Sequence, residues 1–127
     1  MCTFVNKVAK IRRSFRKVTC WKAVEWDNEK CMWTGPFYGG DSYVEGKKLK
    51  SDKRIYVVDG VVYHGLHTYT DESCAFKLLS RLLVNRMMGN YRLVKCEIPR
   101  FSRYIEGADE NGAPCYVSEK LKVVKFV

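Results

Sequence analysis

Apolar positions follow two different rhythms along this chain, and the change of rhythm marks its elements. Between residues 4 and 18, Phe4, Val5, Val8, Ile11, Phe15 and Val18 recur close to a 3.6-residue period, while Lys7, Lys10, Arg13 and Lys17 lie off that stripe. The pattern predicts an amphipathic helix with one apolar and one cationic face. Over residues 19–26 the period shortens to two, as in a strand; a turn at 27–30 and a short strand at 31–34 follow. Residues 35–52, rich in Gly, Lys and Tyr, read as a long exposed loop.

The clearest local signal comes next. Residues 55–58 and 61–63 are β-branched and aromatic and flank Asp59-Gly60, a pair that tolerates the positive φ of a type I′ hairpin turn. A helix is expected after Thr70 as N-cap. Asp71 and Glu72 suit its positive end, Ala75, Leu78, Leu79, Leu82, Leu83 and Met87 form its buried stripe, and Gly89 or Asn90 ends it. Residues 91–98 form a strand stopped by Pro99, 100–105 are extended, 107–114 are turn-rich, and 115–127 supply one or two last strands. The expected class is α+β: a twisted, mostly antiparallel sheet packed by one central helix, plus a basic amphipathic helix at the N-terminus. The chain reads as one domain, 1–127, with the basic helix over 1–18 and the α+β core over 19–127.

Composition adds a partner class. Twenty-three Lys and Arg against fourteen Asp and Glu give a net charge of +9. Residues 1–24 contain seven cations and no acid, so most of the excess is concentrated there. Such a surface attracts polyanions. No apolar run reaches the roughly 18 residues of a membrane span, and the N-terminal residues lack the pattern of a secretory signal. No contact with membrane is expected. The six cysteines form no CxxC pair, which removes the usual zinc spacing. Cys74 and Cys96 sit in apolar patterns and suggest free buried thiols, as in a cytoplasmic protein.

Catalytic signatures are sparse. His64 and His67 are the two histidines, but a spacing of three on an extended segment points their rings to opposite faces. No GxSxG elbow and no GxxxxGK[ST] loop occurs. No cofactor and no metal is expected. The cationic positions carry more content. Lys7, Lys10, Arg12, Arg13, Arg16 and Lys17 form one candidate binding patch, and Lys47, Lys48, Lys50, Lys53 and Arg54 a second. Clustered cations displace counterions from a phosphate backbone and give salt-sensitive affinity. Phe37, Tyr38, Tyr43 and Tyr56 lie near basic loops and are candidates for stacking on unpaired bases. An acidic protein surface is the alternative partner.

Two resemblances extend this reading. Residues Gly65-Leu66-His67-Thr68-Tyr69-Thr70-Asp71-Glu72-Ser73-Cys74-Ala75 resemble the strand-to-helix segment of ADP-ribosyltransferase-like domains. That likeness implies a nicotinamide-pocket role for His67 or Tyr69 and a catalytic acid at Glu97 or Glu106. The chain departs from the pattern at Trp21-Lys22-Ala23, where an Arg or His would hold the dinucleotide. The second likeness is carried by Ile98-Pro99, Tyr104, Gly107 and residues 116–122, with residues 21–24 and the Gly65-x-His67 block. These resemble small bacteriophage and prophage accessory proteins over about residues 20–124, and no activity travels with that likeness. The leading expectation is a non-enzymatic, phage-type inhibitor of the anti-CRISPR kind. It would act in the host cytoplasm on RNA or an RNA-guided nucleoprotein complex. The alternative is an ADP-ribosyltransferase-like enzyme modifying a host target.

Overall fold

The computed structural model describes residues 3–4, 10–35, 42–85 and 89–127. Among these residues, twelve strands and one helix follow in order: β1 (Thr3–Phe4), β2 (Arg12–Arg13), β3 (Val18–Asp27), β4 (Met32–Thr34), β5 (Lys48–Lys50), β6 (Tyr56–Val58), β7 (Val61–Tyr63), β8 (Leu66–Tyr69), α1 (Glu72–Asn85), β9 (Tyr91–Ile98), β10 (Arg103–Ala108), β11 (Pro114–Ser118) and β12 (Lys120–Phe126). They form one sheet in the order β5-β12-β9-β3-β8-β11-β10-β1-β7-β6, with β4 on β3 and β2 on β10. Every pairing among these strands is antiparallel.

Side-chain alternation gives the sheet two buried faces. Cys20, Val24, Val94, Cys96, Ile98, Leu121 and Val123 join Tyr43, Leu49 and Leu66 in one apolar layer. Val18, Trp33, Tyr104, Tyr116 and Phe126 pack against this layer. The opposite face presents Ala23, Tyr69, Leu93 and Cys115 to Ala75, Leu78 and Leu82 of α1. Beneath it the Tyr69 hydroxyl donates to buried Asp109 Oδ2 at 2.7 Å, while Asp109 Oδ1 accepts from the backbone of Asn111 and Ala113. Burial, then the bond to Asp109, pushes the Tyr69 hydroxyl pKa upward. A third cluster packs Ile55 and Val62 of the hairpin region on Ile105 and Val117.

The predicted hairpin forms between β6 and β7, with Asp59 at φ 51° and Gly60 at φ 74°, both left-handed as a type I′ turn requires. The helix predicted from Thr70 to Gly89 or Asn90 forms over Glu72–Asn85, with residues 86–88 outside the description, but its cap is Asp71. Asp71 Oδ1 accepts the Cys74 amide at 2.9 Å, while the Thr70 amide donates to the Pro114 carbonyl. Leu83 of the expected stripe is exposed, and Met87 lies outside the described residues. The expected loop 35–52 contains strand β5, and β10 continues to Ala108 into the segment read as turn-rich.

The N-terminal helix is not observed. Within 4–18, the described residues hold β2, which pairs Arg12 with Tyr104 and Arg13 with Arg103, and the start of β3 at Val18; residues 5–9 lie outside the description. The expected apolar stripe is broken accordingly, since Ile11 and Val18 are half-buried while Phe15 is 84% exposed. Two physical reasons favour extension. An isolated helix this short gains little without a packing face, and β-branched Val and Ile suit a pleated surface. β10 offers its backbone edge to such a segment.

Candidate nucleic-acid interface

Beyond the β2–β10 pairing, a buried serine holds the N-terminal basic segment to the sheet. Ser14 Oγ donates to the Pro99 carbonyl at 2.7 Å and accepts the Ser102 amide at 3.2 Å. The Ser14 amide donates to Ser102 O at 3.0 Å, and Ser14 O accepts the Phe101 amide at 2.7 Å. Residues 13–17 are thereby stitched to the β9–β10 turn. Arg13 Nη1 adds a bond to Phe101 O at 2.9 Å. The exposed side chains of Arg16 and Lys17 flank this staple, and Arg100 joins them from the turn.

The second predicted patch reaches the same rim through Glu119. Its carboxylate Oε2 accepts the Ile55 amide at 3.0 Å and pairs with Arg103 Nη1 at 3.3 Å. Its backbone amide donates to Arg103 O, and its carbonyl accepts the Ser51 amide. Ser51 Oγ in turn donates to the Lys53 carbonyl. Glu119 therefore ties the 51–55 loop, which carries Lys53 and Arg54, to the end of the sheet where Arg13, Arg16, Lys17 and Arg100 project.

A lysine-rich sheet face continues from this rim. The register sets Lys48 beside Lys122 and Lys50 beside Lys120, and then Lys122 beside Glu97 and Lys125 beside Lys95. Cross-strand partners share a face, so Lys48, Lys50, Lys95, Lys120, Lys122 and Lys125 point to one side while Leu49, Leu121 and Val123 are buried on the other. Lys95 Nζ sits 5.8 Å from the Trp21 ring centroid, a cation–π contact. Lys95, Lys120, Lys122 and Lys125 were not among the expected residues, and neither was Arg100. A signal for part of this set existed: Lys-Leu-Lys occurs at 48–50 and again at 120–122, each with the period of a half-buried strand.

The expected residues do not all contribute alike. Lys7 lies outside the described residues. Arg12 pairs with Glu106 at 3.5 Å and lies 5.3 Å from the Tyr104 ring centroid. That exposed pair is worth little, about 0–1 kcal/mol, but it spends Arg12 on the molecule's own carboxylate. Lys10, Arg16, Lys17, Lys47, Lys48, Lys50, Lys53 and Arg54 are exposed and form no ion pair with a described carboxylate. Lys22, counted in the N-terminal excess, turns inward: its Nζ donates to His67 O at 2.7 Å. Of the candidate stacking aromatics, Tyr43 is buried in the core, Tyr56 stacks on Tyr63 at 5.2 Å, and Phe37 and Tyr38 lie outside the description.

The residues tied to the transferase likeness are not assembled. Glu106 shares a sheet face with Tyr116 and Thr68, whereas His67 lies on the other face with Val117. Tyr69 is 2% exposed. Glu97 stands among the lysines, opposite Lys122 and Thr19. His64 sits at the hairpin end with φ 64° and its ring centroid 5.3 Å from that of Tyr56. Among the described residues, no group of three His, Cys, Asp or Glu is placed to hold a metal ion. Cys20, Cys31, Cys74, Cys96 and Cys115 are free thiols, and burial pushes the Cys20 pKa up to about 12. A cleft of about 510 Å³ lined by Trp26, Trp33, Asn90, Tyr91 and Arg92 lies at the opposite end of the sheet from the basic rim.

His67 is held neutral. Burial, then the nearby Lys22 charge, lowers its pKa from 6.5 to about 3. The folded state therefore binds fewer protons than the unfolded one between these values, and stability falls as pH drops below 6.5. We expect the unfolding free energy from urea titrations to decline between pH 6.5 and 5 by up to about 1.4 kcal/mol per pH unit. His67→Gln should flatten that slope; an unchanged slope would assign it to other groups.

The fold and rim together define an antiparallel α+β domain with a cationic sheet end. No family model, curated protein or solved structure matches the chain. Among the described residues, no helix is long and apolar enough to cross a membrane.

Proposed function

We propose that this protein is a non-enzymatic, phage-type inhibitor that binds RNA or an RNA-guided nucleoprotein complex through its basic sheet end, in the anti-CRISPR manner, in the host cytoplasm. One observation carries the reading. Two basic patches separated by tens of residues in sequence are joined at one rim by the Ser14 staple and the Glu119 bridge. Arg16, Lys17, Arg100, Lys53 and Arg54 are exposed there without an ion pair to a described carboxylate. Uncompensated cations gathered along one rim suit a phosphate backbone, from which each contact releases counterions. The lysine-bearing sheet face extends the track beyond the rim.

The test is the salt dependence of binding to labelled RNA and to an RNA-guided effector complex. Wild type is expected to bind with an affinity that falls steeply as salt rises. The triple variant Arg16→Glu, Lys17→Glu, Arg100→Glu alters only exposed side chains and should fold normally. Its log–log salt slope should be shallower by about two to three units. An unchanged slope, or no binding by wild type at low salt, would defeat the proposal. Retention of a lysate partner that survives nuclease and ignores the triple reversal would defeat it in favour of a protein contact elsewhere.

A further inference from the structure

The rim carries two phenylalanines in an unusual setting. Phe15 is 84% exposed and Phe101 is 55% exposed. They project from the two chain segments that Ser14 ties together, and the Phe101 amide donates directly to Ser14 O at 2.7 Å. Phe101 has φ 66°, a left-handed conformation that a bulky side chain rarely adopts and that persists only where its surroundings fix it. Here the bonds from the Phe101 amide to Ser14 O, from the Ser102 amide to Ser14 Oγ and from Arg13 Nη1 to Phe101 O fix it. The outcome is an aromatic ring displayed on a rigid turn instead of buried in the apolar layers nearby.

A cation lies over one ring and two more follow the other in sequence. The Arg100 guanidinium carbon lies 4.6 Å from the Phe101 ring centroid, and Arg16 and Lys17 directly follow Phe15. From this arrangement we infer that Phe15 and Phe101 form a stacking platform for unpaired bases, and that the rim selects single-stranded over double-stranded nucleic acid. The inference rests on the nucleic-acid reading above and names its substrate class. A π-face accepts any base, but a duplex keeps its base faces stacked internally and offers mainly its phosphates. Arg16, Lys17 and Arg100 are placed to hold those phosphates while the rings take the bases. Insertion of the same tip into a lipid layer would carry the Arg100 guanidinium into hydrocarbon along with Phe101, at high desolvation cost. A base stacked on the free side of the ring leaves that guanidinium in water.

Fluorescence anisotropy with short labelled oligouridylate, oligodeoxythymidylate and a mixed-sequence duplex tests the platform. Phe15→Ala and Phe101→Ala are each expected to weaken single-strand binding by about five- to a hundredfold. Duplex affinity and the salt slope should not change. Phe101→Trp should retain single-strand affinity, whereas Phe101→Leu, which keeps apolar bulk without a ring, should lose it. Thermal melts identify any variant whose loss reflects unfolding. If wild type binds with salt dependence but the Phe variants match it on single strands, or lose equally on duplex, the platform is refuted while the basic-rim reading stands. If wild type binds none of these nucleic acids the platform falls, and if it also fails to bind an RNA-guided effector complex both fall. Phe-dependent capture by vesicles rich in anionic lipid, without nucleic-acid binding, would show that the tip meets a membrane instead.

Discussion

Glu119→Ala is expected to lower the unfolding free energy by about 3 kcal/mol and, if the basic rim binds nucleic acid, to weaken that binding as well. The stability loss has two sources. The Ile55 amide loses its acceptor at 3.0 Å, and Arg103, whose side chain is 24% exposed, loses its partner at 3.3 Å. An orphaned amide costs about 1–3 kcal/mol. Breaking a half-buried ion pair adds to this, though less than the 3–5 kcal/mol typical of full burial. Glu119→Gln keeps an acceptor for Ile55 and should cost roughly half as much. The binding arm is diagnostic because charge alone predicts the reverse: removing an acid from a +9 protein should strengthen attraction to a polyanion. Weaker binding would mean that Glu119 acts by holding the 51–55 loop against the rim. Urea midpoints and salt titrations of both variants decide the matter, and equal behaviour of the Ala variant and wild type would remove Glu119 from the account.

Gly65→Ala is the second severe change. Gly65 has φ +90°, and a Cβ there would fall well inside van der Waals contact of Ile55 Cγ2 and Val117 Cγ1, with Ser118 O at 3.2 Å. Left-handed strain of about 1–2 kcal/mol and overpacking of about 1–3 kcal/mol together give an expected loss of about 3 kcal/mol. Gly46 supplies the control, since its φ is +81° but nothing lies within 4 Å of its would-be Cβ. Gly46→Ala should show the backbone share alone. If the two substitutions cost the same in chemical denaturation, crowding at Gly65 contributes nothing.

The parts of this fold that are legible in the sequence are those set by neighbours in the chain. Asp59-Gly60 specifies its own turn, and the alternation at 19–26 and 91–98 specifies β3 and β9, whatever lies further off. The N-terminal segment shows the limit. Its apolar spacing fits a helix, but β2 exists because β10 presents an edge some ninety residues away, and a local period cannot register that. The site divides in the same way. Lys48 and Lys50 were identifiable as cations, yet their union with Lys120 and Lys122 depends on register. Arg12 and Arg16 are equivalent in the sequence, but only Arg12 has Glu106, distant in sequence, beside it. The apolar period places Phe15 in a buried stripe, yet it is the most exposed large hydrophobic among the described residues.

The hydrogen bonds that build the rim span 64, 85 and 88 residues of chain. Contacts between such remote segments can close only after most of the intervening polypeptide has found its place, because loop-closure entropy is lost before they form. Cations that are scattered along the unfolded chain are therefore gathered to one rim only when these long-range bonds close.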